Sequence, residues 1–132
     1  MLRTAFCLTL AWLAMPVQAQ EQISPEAFLD QAVGNTLTFR SFDSGSVVGE
    51  EEFLRRDLSV WVQPNGRCTY GKIEIRGPRI CFIYEDFPDP DNCWLPFRYQ
   101  DQIVVMAMGS GELQRVTEIT DTPLSCEGAP LS

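Results

Sequence analysis

The 132-residue sequence contains no histidine. Without an imidazole, the chain cannot form a Ser-His or Cys-His nucleophile pair, a HExxH zinc site or a histidine-based pH switch. Positive charge is also scarce, because one Lys and nine Arg face 18 acidic residues and leave a formal net charge of −8. An acidic chain without a basic cluster lacks the charge that phosphate contacts require, so we expect no nucleic-acid partner.

Long apolar runs are missing as well. The apolar run Ala5–Met15 follows Arg3 and precedes Val17-Gln18-Ala19, which places small residues at the cleavage positions of a secretory signal peptide. The run is too short for a transmembrane helix, which needs about 20 apolar residues. We therefore predict a signal peptide over residues 1–19, cleaved after Ala19, and an exported periplasmic or secreted protein whose mature chain has no membrane span.

The number of cysteines changes from five to four if residues 1–19 are removed. Cleavage removes Cys7 and leaves Cys68, Cys81, Cys93 and Cys126, and an even set in an exported domain indicates two disulfides. The wide spacing disfavours a zinc site or a redox pair, both of which use close cysteines. Three pairings are open. We favour 81–93 with 68–126, because the middle two flank a single loop and the outer two would tie an interior strand to the tail.

One short helix is predicted at residues 24–33. Ser24 can cap it, Pro25 suits its first position, Glu26 complements the positive end, and Gly34 ends it. The helix is amphipathic, with apolar pairs four residues apart.

The rest of the chain alternates short strand-like segments with turn residues. The segments recur about every ten residues, which is typical of an antiparallel meander. Because an open sheet of this size would expose its edges, we expect it to close or nearly close into a barrel over residues 20–132, with residues 121–132 as a tail. The helix could cover the apolar strand Ile103–Met108 or plug one mouth of the barrel. The predicted fold is mainly β, a single disulfide-stapled barrel-like domain. The predicted strands are Thr36–Phe42, Val47–Phe53, Leu58–Gln63, Arg67–Ile75, Arg79–Glu85, Cys93–Tyr99, Gln102–Met108 and Leu113–Thr120.

Glu85–Asn92 is the most acidic loop of the chain. Asp89, Asp91 and Asn92 offer oxygen ligands of the kind that Ca²⁺ takes, but their spacing does not match a calcium loop. We interpret the loop as a soluble hairpin connection and, with Phe87, as a candidate interaction surface. The sequence predicts no bound metal and no cofactor.

Three consecutive acids, Glu50, Glu51 and Glu52, precede Arg55 and Arg56. In a strand, the first and third share one face and the second lies on the other. A pair of carboxylates could serve a hydrolase across a cleft. We instead interpret all three as surface charges on an edge strand.

Four aromatic residues, Trp61, Tyr70, Trp94 and Phe97, are candidates for lining a ligand pocket. A barrel of eight strands either fills its interior with side chains or holds one small ligand. For a chain of this length we expect a filled interior, with these aromatics in the core.

Several short motifs carry a family resemblance: Phe53, Trp61, Asn65-Gly66-Arg67-Cys68, Gly71, Ile80-Cys81-Phe82, Tyr84 and Cys93-Trp94. They resemble the pattern of an uncharacterised family of small secreted alphaproteobacterial β-domain proteins with a Cys…Cys-Trp element. The resemblance spans residues 34–126 and implies an exported β domain, without an activity or a site residue. A weaker similarity is to small periplasmic barrel inhibitors of metalloproteases. The chain departs from those inhibitors because its N-terminus leads into a helix and not into a free inhibitory trunk.

Taken together, these features favour a non-enzymatic binding or interaction module, whose partner is an unknown small ligand or an envelope protein. The alternative is a small barrel inhibitor or envelope-stress factor that acts on another protein. A carboxylate-dependent hydrolase is the third hypothesis.

Overall fold

The computed structural model describes residues 20–126. The predicted signal peptide, with Cys7 and the cleavage position after Ala19, and the end of the tail lie outside the described residues. The elements are β1 (Glu21–Gln22), α1 (Pro25–Ala32), β2 (Thr36–Ser41), β3 (Val47–Arg55), β4 (Leu58–Val62), β5 (Cys68–Arg76), β6 (Arg79–Tyr84), β7 (Cys93–Tyr99), β8 (Gln102–Ala107) and β9 (Leu113–Thr120).

Strands β2 to β9 form a closed antiparallel barrel of eight strands, with β1 paired outside it. Each strand pairs with its neighbour in sequence, and pairing of β2 with β9 closes the ring. The predicted barrel is confirmed, and the eight predicted strands agree with the observed ones to within two residues at each end. No helix among the described residues has the length and apolarity needed to cross a bilayer.

The barrel has one short seam, between β6 and β7. Only Ile80↔Trp94 and Cys81↔Cys93 pair there, and the Cys81–Cys93 disulfide joins the second pair. Further along β7, the edge pairs with β1 instead, and the backbone N–H of Ile23 donates to the carbonyl of Pro96 at 3.0 Å. Strand β1 was not predicted, because two residues are too few to show an alternation.

Helix α1 closes the end of the barrel next to this seam. The Ser24 hydroxyl caps it by accepting a hydrogen bond from the Ala27 N–H at 3.1 Å, and the chain leaves the helix through Gly34 at φ +84°. The apolar side of α1 is buried, and the Phe28 ring packs edge-on against Phe53 with centroids 5.7 Å apart. The helix therefore forms the floor of the barrel interior.

The C-terminal tail crosses the outer face of the barrel and is held by the Cys68–Cys126 disulfide. The Leu124 N–H donates to the Glu52 carboxylate at 2.8 Å. This segment passes the outer side of β3 and β4, where Val60 is only 2% exposed. Both disulfides have the pairing that the sequence favoured.

Candidate functional site

The barrel interior contains a cavity of about 180 Å³. Phe28 of α1 lies at its floor, and Phe87 of the 85–92 loop lies at its mouth, where the ring is 45% exposed. The cavity is therefore closed at the helix end and accessible at the loop end. Its lining consists of Phe28, Phe39, Trp61, Tyr84, Phe87, Asn92, Trp94, Val105 and Gln114.

One wall of the cavity is a row of four aromatic rings. The centroids of Phe39 and Trp61 are 6.0 Å apart, those of Trp61 and Tyr84 are 6.4 Å apart, and those of Tyr84 and Phe87 are 5.2 Å apart. Successive rings are tilted by 52°, 41° and 49°, so they curve around the space and do not stack on one another. The wall presents ring surface from the barrel interior to the mouth.

Two glycines within strands make room for this wall. A Cβ at Gly49 would clash with the indole of Trp61, and a Cβ at Gly71 would meet the ring of Tyr84 at 2.8 Å. Glycine inside a strand often marks a close approach of another group. Here the two glycines allow the two largest rings of the wall to lie against the backbone.

Behind the ring wall lies a buried carboxyl group. Glu51 is 3% exposed and accepts hydrogen bonds from the Ser59 hydroxyl at 2.6 Å and from the Tyr84 hydroxyl at 2.9 Å. Burial raises the pKa of Glu51 to about 7, although both hydrogen bonds act in the opposite direction. Burial also raises the pKa of Tyr84, and the neighbouring Glu51 charge adds to that rise. None of the ion pairs within residues 20–126 includes Glu51.

The expectation that Glu51 is a surface charge on an edge strand is therefore wrong. Strand β3 is paired on both sides, with β2 and with β4, so it has no free edge. Its inward positions are Gly49, Glu51 and Phe53, all buried.

The two flanking acids lie on the outer face, as alternation predicts. Glu50 lies beside Thr38, with 3.5 Å between the oxygens, and Glu52 holds the tail through Leu124. A hydrolase with two carboxylates needs them across a cleft. Glu50 and Glu52 do not face the cavity, and Glu51 is separated from them by the barrel wall.

The four candidate pocket aromatics divide into two pairs. Trp61 and Trp94 line the cavity. Tyr70 pairs with Val60 on the outer face, where burial and the charge of Glu52 raise its pKa. Phe97 pairs with Val104 of β8 and with Gln22 of β1, and it is buried. Neither Tyr70 nor Phe97 lines this cavity, because each faces the outer side of its strand. Phe97 instead borders a separate groove with Leu95 and Met106.

Trp61 and Trp94 pack against the buried core, as expected, but the interior is not completely filled, since the cavity remains between the rings. Sequence reasoning missed five of its lining residues, and only the interior glycines hinted at where large rings would lie. The missed residues are Phe28, Phe39, Tyr84, Val105 and Gln114.

The candidate interaction loop is split in the same way. Phe87 and Asn92 line the mouth, and Asn92 accepts from the Trp94 indole N–H at 2.9 Å while its amide donates to the Phe82 carbonyl at 3.0 Å. Asp89 instead caps a local turn by accepting from the Asp91 N–H at 2.9 Å. Across residues 20–126, no three or more His, Cys, Asp or Glu side chains are grouped to hold a metal ion.

The arrangement offers a small aromatic cavity with amide groups near its mouth and a carboxyl group behind one wall. It can enclose a compact molecule and exclude water from it. No known protein family, curated protein or solved structure matches the chain.

Proposed function

We propose that this protein is an exported, non-enzymatic module that binds one small organic molecule inside the barrel. The observation that supports the proposal is the cavity of about 180 Å³ with its accessible mouth. A buried cavity of about 150 Å³ lined by apolar side chains can take up benzene. The ligand would therefore be a compact group about the size of a single ring.

The shape of the cavity favours a binding site over a gap left by imperfect packing of the core. Two strand glycines are placed where a Cβ would displace the rings of Trp61 and Tyr84, so the wall is built with large side chains set back from the centre. The mouth beside Phe87 gives a route of entry, and eight-stranded barrels are able to hold one small ligand.

Two disulfides within the described residues support an extracytoplasmic location, because oxidising compartments maintain such bonds. The sequence pattern of residues 1–19 favours the same location. We propose that the site works in the periplasm or outside the cell.

Isothermal titration calorimetry of small probes into the full chain tests this proposal. The protein is expressed with its own N-terminal segment and purified without reductant. The probes are benzene, indole, choline and 3,3-dimethylbutan-1-ol. We expect at least one probe to bind with one site per chain, and Val105→Phe to abolish the heat signal by filling the cavity. The control is Leu54→Phe, which adds a ring at an exposed position outside the cavity lining. Absence of binding by every probe would overturn the proposal.

A second candidate function is recognition of another protein through the 85–92 loop. The observation that favours it is the exposed ring of Phe87 at the loop tip, beside acidic residues. Chemical crosslinking in periplasmic extract, with the wild type and with Phe87→Ser, tests this candidate. A partner profile that does not change in the variant would count against it.

A further inference from the structure

The cavity lining is richer in aromatic rings than enclosure of a neutral molecule requires. Six of its nine residues are aromatic, and none is Lys or Arg. Aliphatic side chains would enclose a neutral group equally well, whereas the face of an aromatic ring carries negative potential and attracts cations, with Trp the strongest. The six rings belong to Phe28, Phe39, Trp61, Tyr84, Phe87 and Trp94.

The buried carboxylate of Glu51 adds negative charge next to the negative faces of the rings. Glu51 is bonded to the hydroxyl of Tyr84, whose ring lines the cavity, and no ion pair within residues 20–126 neutralises it. A buried carboxylate is stabilised by a nearby positive charge. Hydrogen bonding to Glu51 also makes the Tyr84 ring a stronger partner for a cation.

The loop at the mouth adds further negative charge. It contains Glu85, Asp86, Asp89 and Asp91. Two cations lie against it, since Arg67 pairs with Asp86 at 3.5 Å and Arg76 donates to the Pro90 carbonyl at 2.6 Å, so the four acids remain in excess. Net negative charge around a mouth raises the local concentration of cations and speeds their entry.

The polar groups of the lining favour a cation that donates no hydrogen bonds. A primary ammonium has three N–H donors, each of which needs an acceptor when it is enclosed. The Asn92 carbonyl oxygen already accepts from Trp94, and Gln114, whose amide N–H donates to Glu112 at 3.1 Å, keeps only its carbonyl oxygen as an acceptor, so these two amides do not supply the three acceptors that a primary ammonium needs. A quaternary ammonium has no N–H, so ring faces alone satisfy it.

Building on the proposed function, we infer that the ligand carries a methylated, quaternary ammonium group, enclosed by the rings around Trp61, Tyr84 and Trp94 with Glu51 behind them. A trimethylammonium head is similar in bulk to a benzene ring and fits a cavity of about 180 Å³. The rest of the ligand would extend through the mouth beside Phe87.

The test compares two probes of nearly identical shape, choline and its neutral carbon isostere 3,3-dimethylbutan-1-ol. Both are titrated calorimetrically into the wild-type full chain at pH 8, where Glu51 is ionised. We expect choline to bind at least about tenfold more tightly, because only the cation gains from the ring faces and the carboxylate. Equal affinities, or binding of the neutral probes alone, would overturn this inference and leave the proposed function intact. Failure of all four probes would overturn both.

The Glu51→Gln variant tests the carboxylate separately. The amide keeps the shape and can still accept from Tyr84, so we expect the affinity for choline to fall several-fold while that for the neutral isostere stays constant. Unchanged choline affinity would overturn the role given to Glu51. The wild-type comparison needs no variant, so the inference remains testable if Glu51→Gln does not fold.

Discussion

The hydroxyl of Tyr84 donates a 2.9 Å hydrogen bond to the carboxylate of Glu51 across the barrel interior. The two residues lie on β6 and β3, which are not neighbours in the sheet. The bond is possible because Gly71, on β5, one of the two strands between them, has no Cβ to obstruct the Tyr84 ring. It connects a titratable group in the core to a ring that lines the cavity.

The titration of Glu51 predicts that folding stability falls as the pH rises. Its folded pKa is raised from 4.5 to about 7, so the folded state binds more protons than the unfolded state between these values. The stabilisation of the folded state by proton binding to Glu51 is fully present below pH 4.5 and is lost as the pH rises to about 7. The free energy of unfolding falls by about 3 kcal/mol over this range. Tyr84 is the titratable group that contacts it.

Urea unfolding of the wild type and of Glu51→Gln at several pH values measures this change. The other carboxyls contribute equally to both proteins, so only the wild type loses the Glu51 stabilisation as the pH rises. Between pH 4.5 and 8 we expect the unfolding free energy of the variant to gain about 3 kcal/mol relative to that of the wild type. A constant difference for Glu51→Gln would contradict the burial of an ionisable group there.

The glycine in β5 gives a second prediction. We expect Gly71→Ala to lower the free energy of unfolding by about 1 to 3 kcal/mol, because its Cβ would lie 2.8 Å from the Tyr84 ring and 3.2 Å from the Ser59 hydroxyl. Gly109→Ala is the matched control, since nothing lies within 4 Å of a Cβ at that position. Chemical denaturation compares the two, and equal losses would show that the Tyr84 ring does not lie against β5.

The two disulfides should differ in what their removal exposes. Replacing Cys68 and Cys126 by Ser opens a 58-residue loop and removes about 4 kcal/mol by the chain-entropy argument. It also frees the tail that crosses β3 and β4, so we expect proteolytic trimming near Leu124 in the folded protein. Replacing Cys81 and Cys93 opens a 12-residue loop, removes about 3 kcal/mol and leaves the tail protected. Mass spectrometry after brief proteolysis distinguishes them, and equal trimming in both variants would contradict the position of the tail.

Much of the fold was predictable, because turn residues and local capping mark the ends of the elements. The limits of β7 and β9 match the prediction, and the helix lies inside its predicted range because Ser24 does cap it. The disulfide pairing could also be predicted, since Cys81 and Cys93 flank one hairpin loop.

The candidate site was harder to predict from the sequence. Alternation of side chains along a strand identifies its two faces but does not say which of them points into the barrel. Glu51 shares its face with Phe53, whose apolar ring was the available sign that this face is the inner one. Tyr70 and Phe97 lie on the outer face, which the tail crosses and where β1 extends the sheet beside β7. Aromatic residues are therefore at least partly buried on both sides of the barrel wall, and an aromatic side chain alone does not identify the inner face.

Tyr84→Phe separates the hydrogen bond to Glu51 from the ring that lines the cavity. The Tyr84 bond lowers the pKa of Glu51 against the effect of burial, so its loss should raise that pKa above about 7. Because the bond stabilises the ionised carboxylate, we expect the variant to lose more unfolding free energy at pH 8 than at pH 5. NMR titration of the labelled Glu51 carboxyl measures the pKa, and urea unfolding measures the stability.

Tyr99→Phe is the control, because Tyr99 packs against Phe42 away from the cavity lining. We expect it to leave the pKa of Glu51 unchanged. An unchanged pKa in Tyr84→Phe as well would contradict the hydrogen bond across the barrel. A raised pKa with the cavity intact would show that the Tyr84 hydroxyl, together with that of Ser59, helps to keep the core carboxyl ionised. Tyr84→Phe should then bind choline more weakly than the wild type at pH 7, where less of Glu51 is ionised.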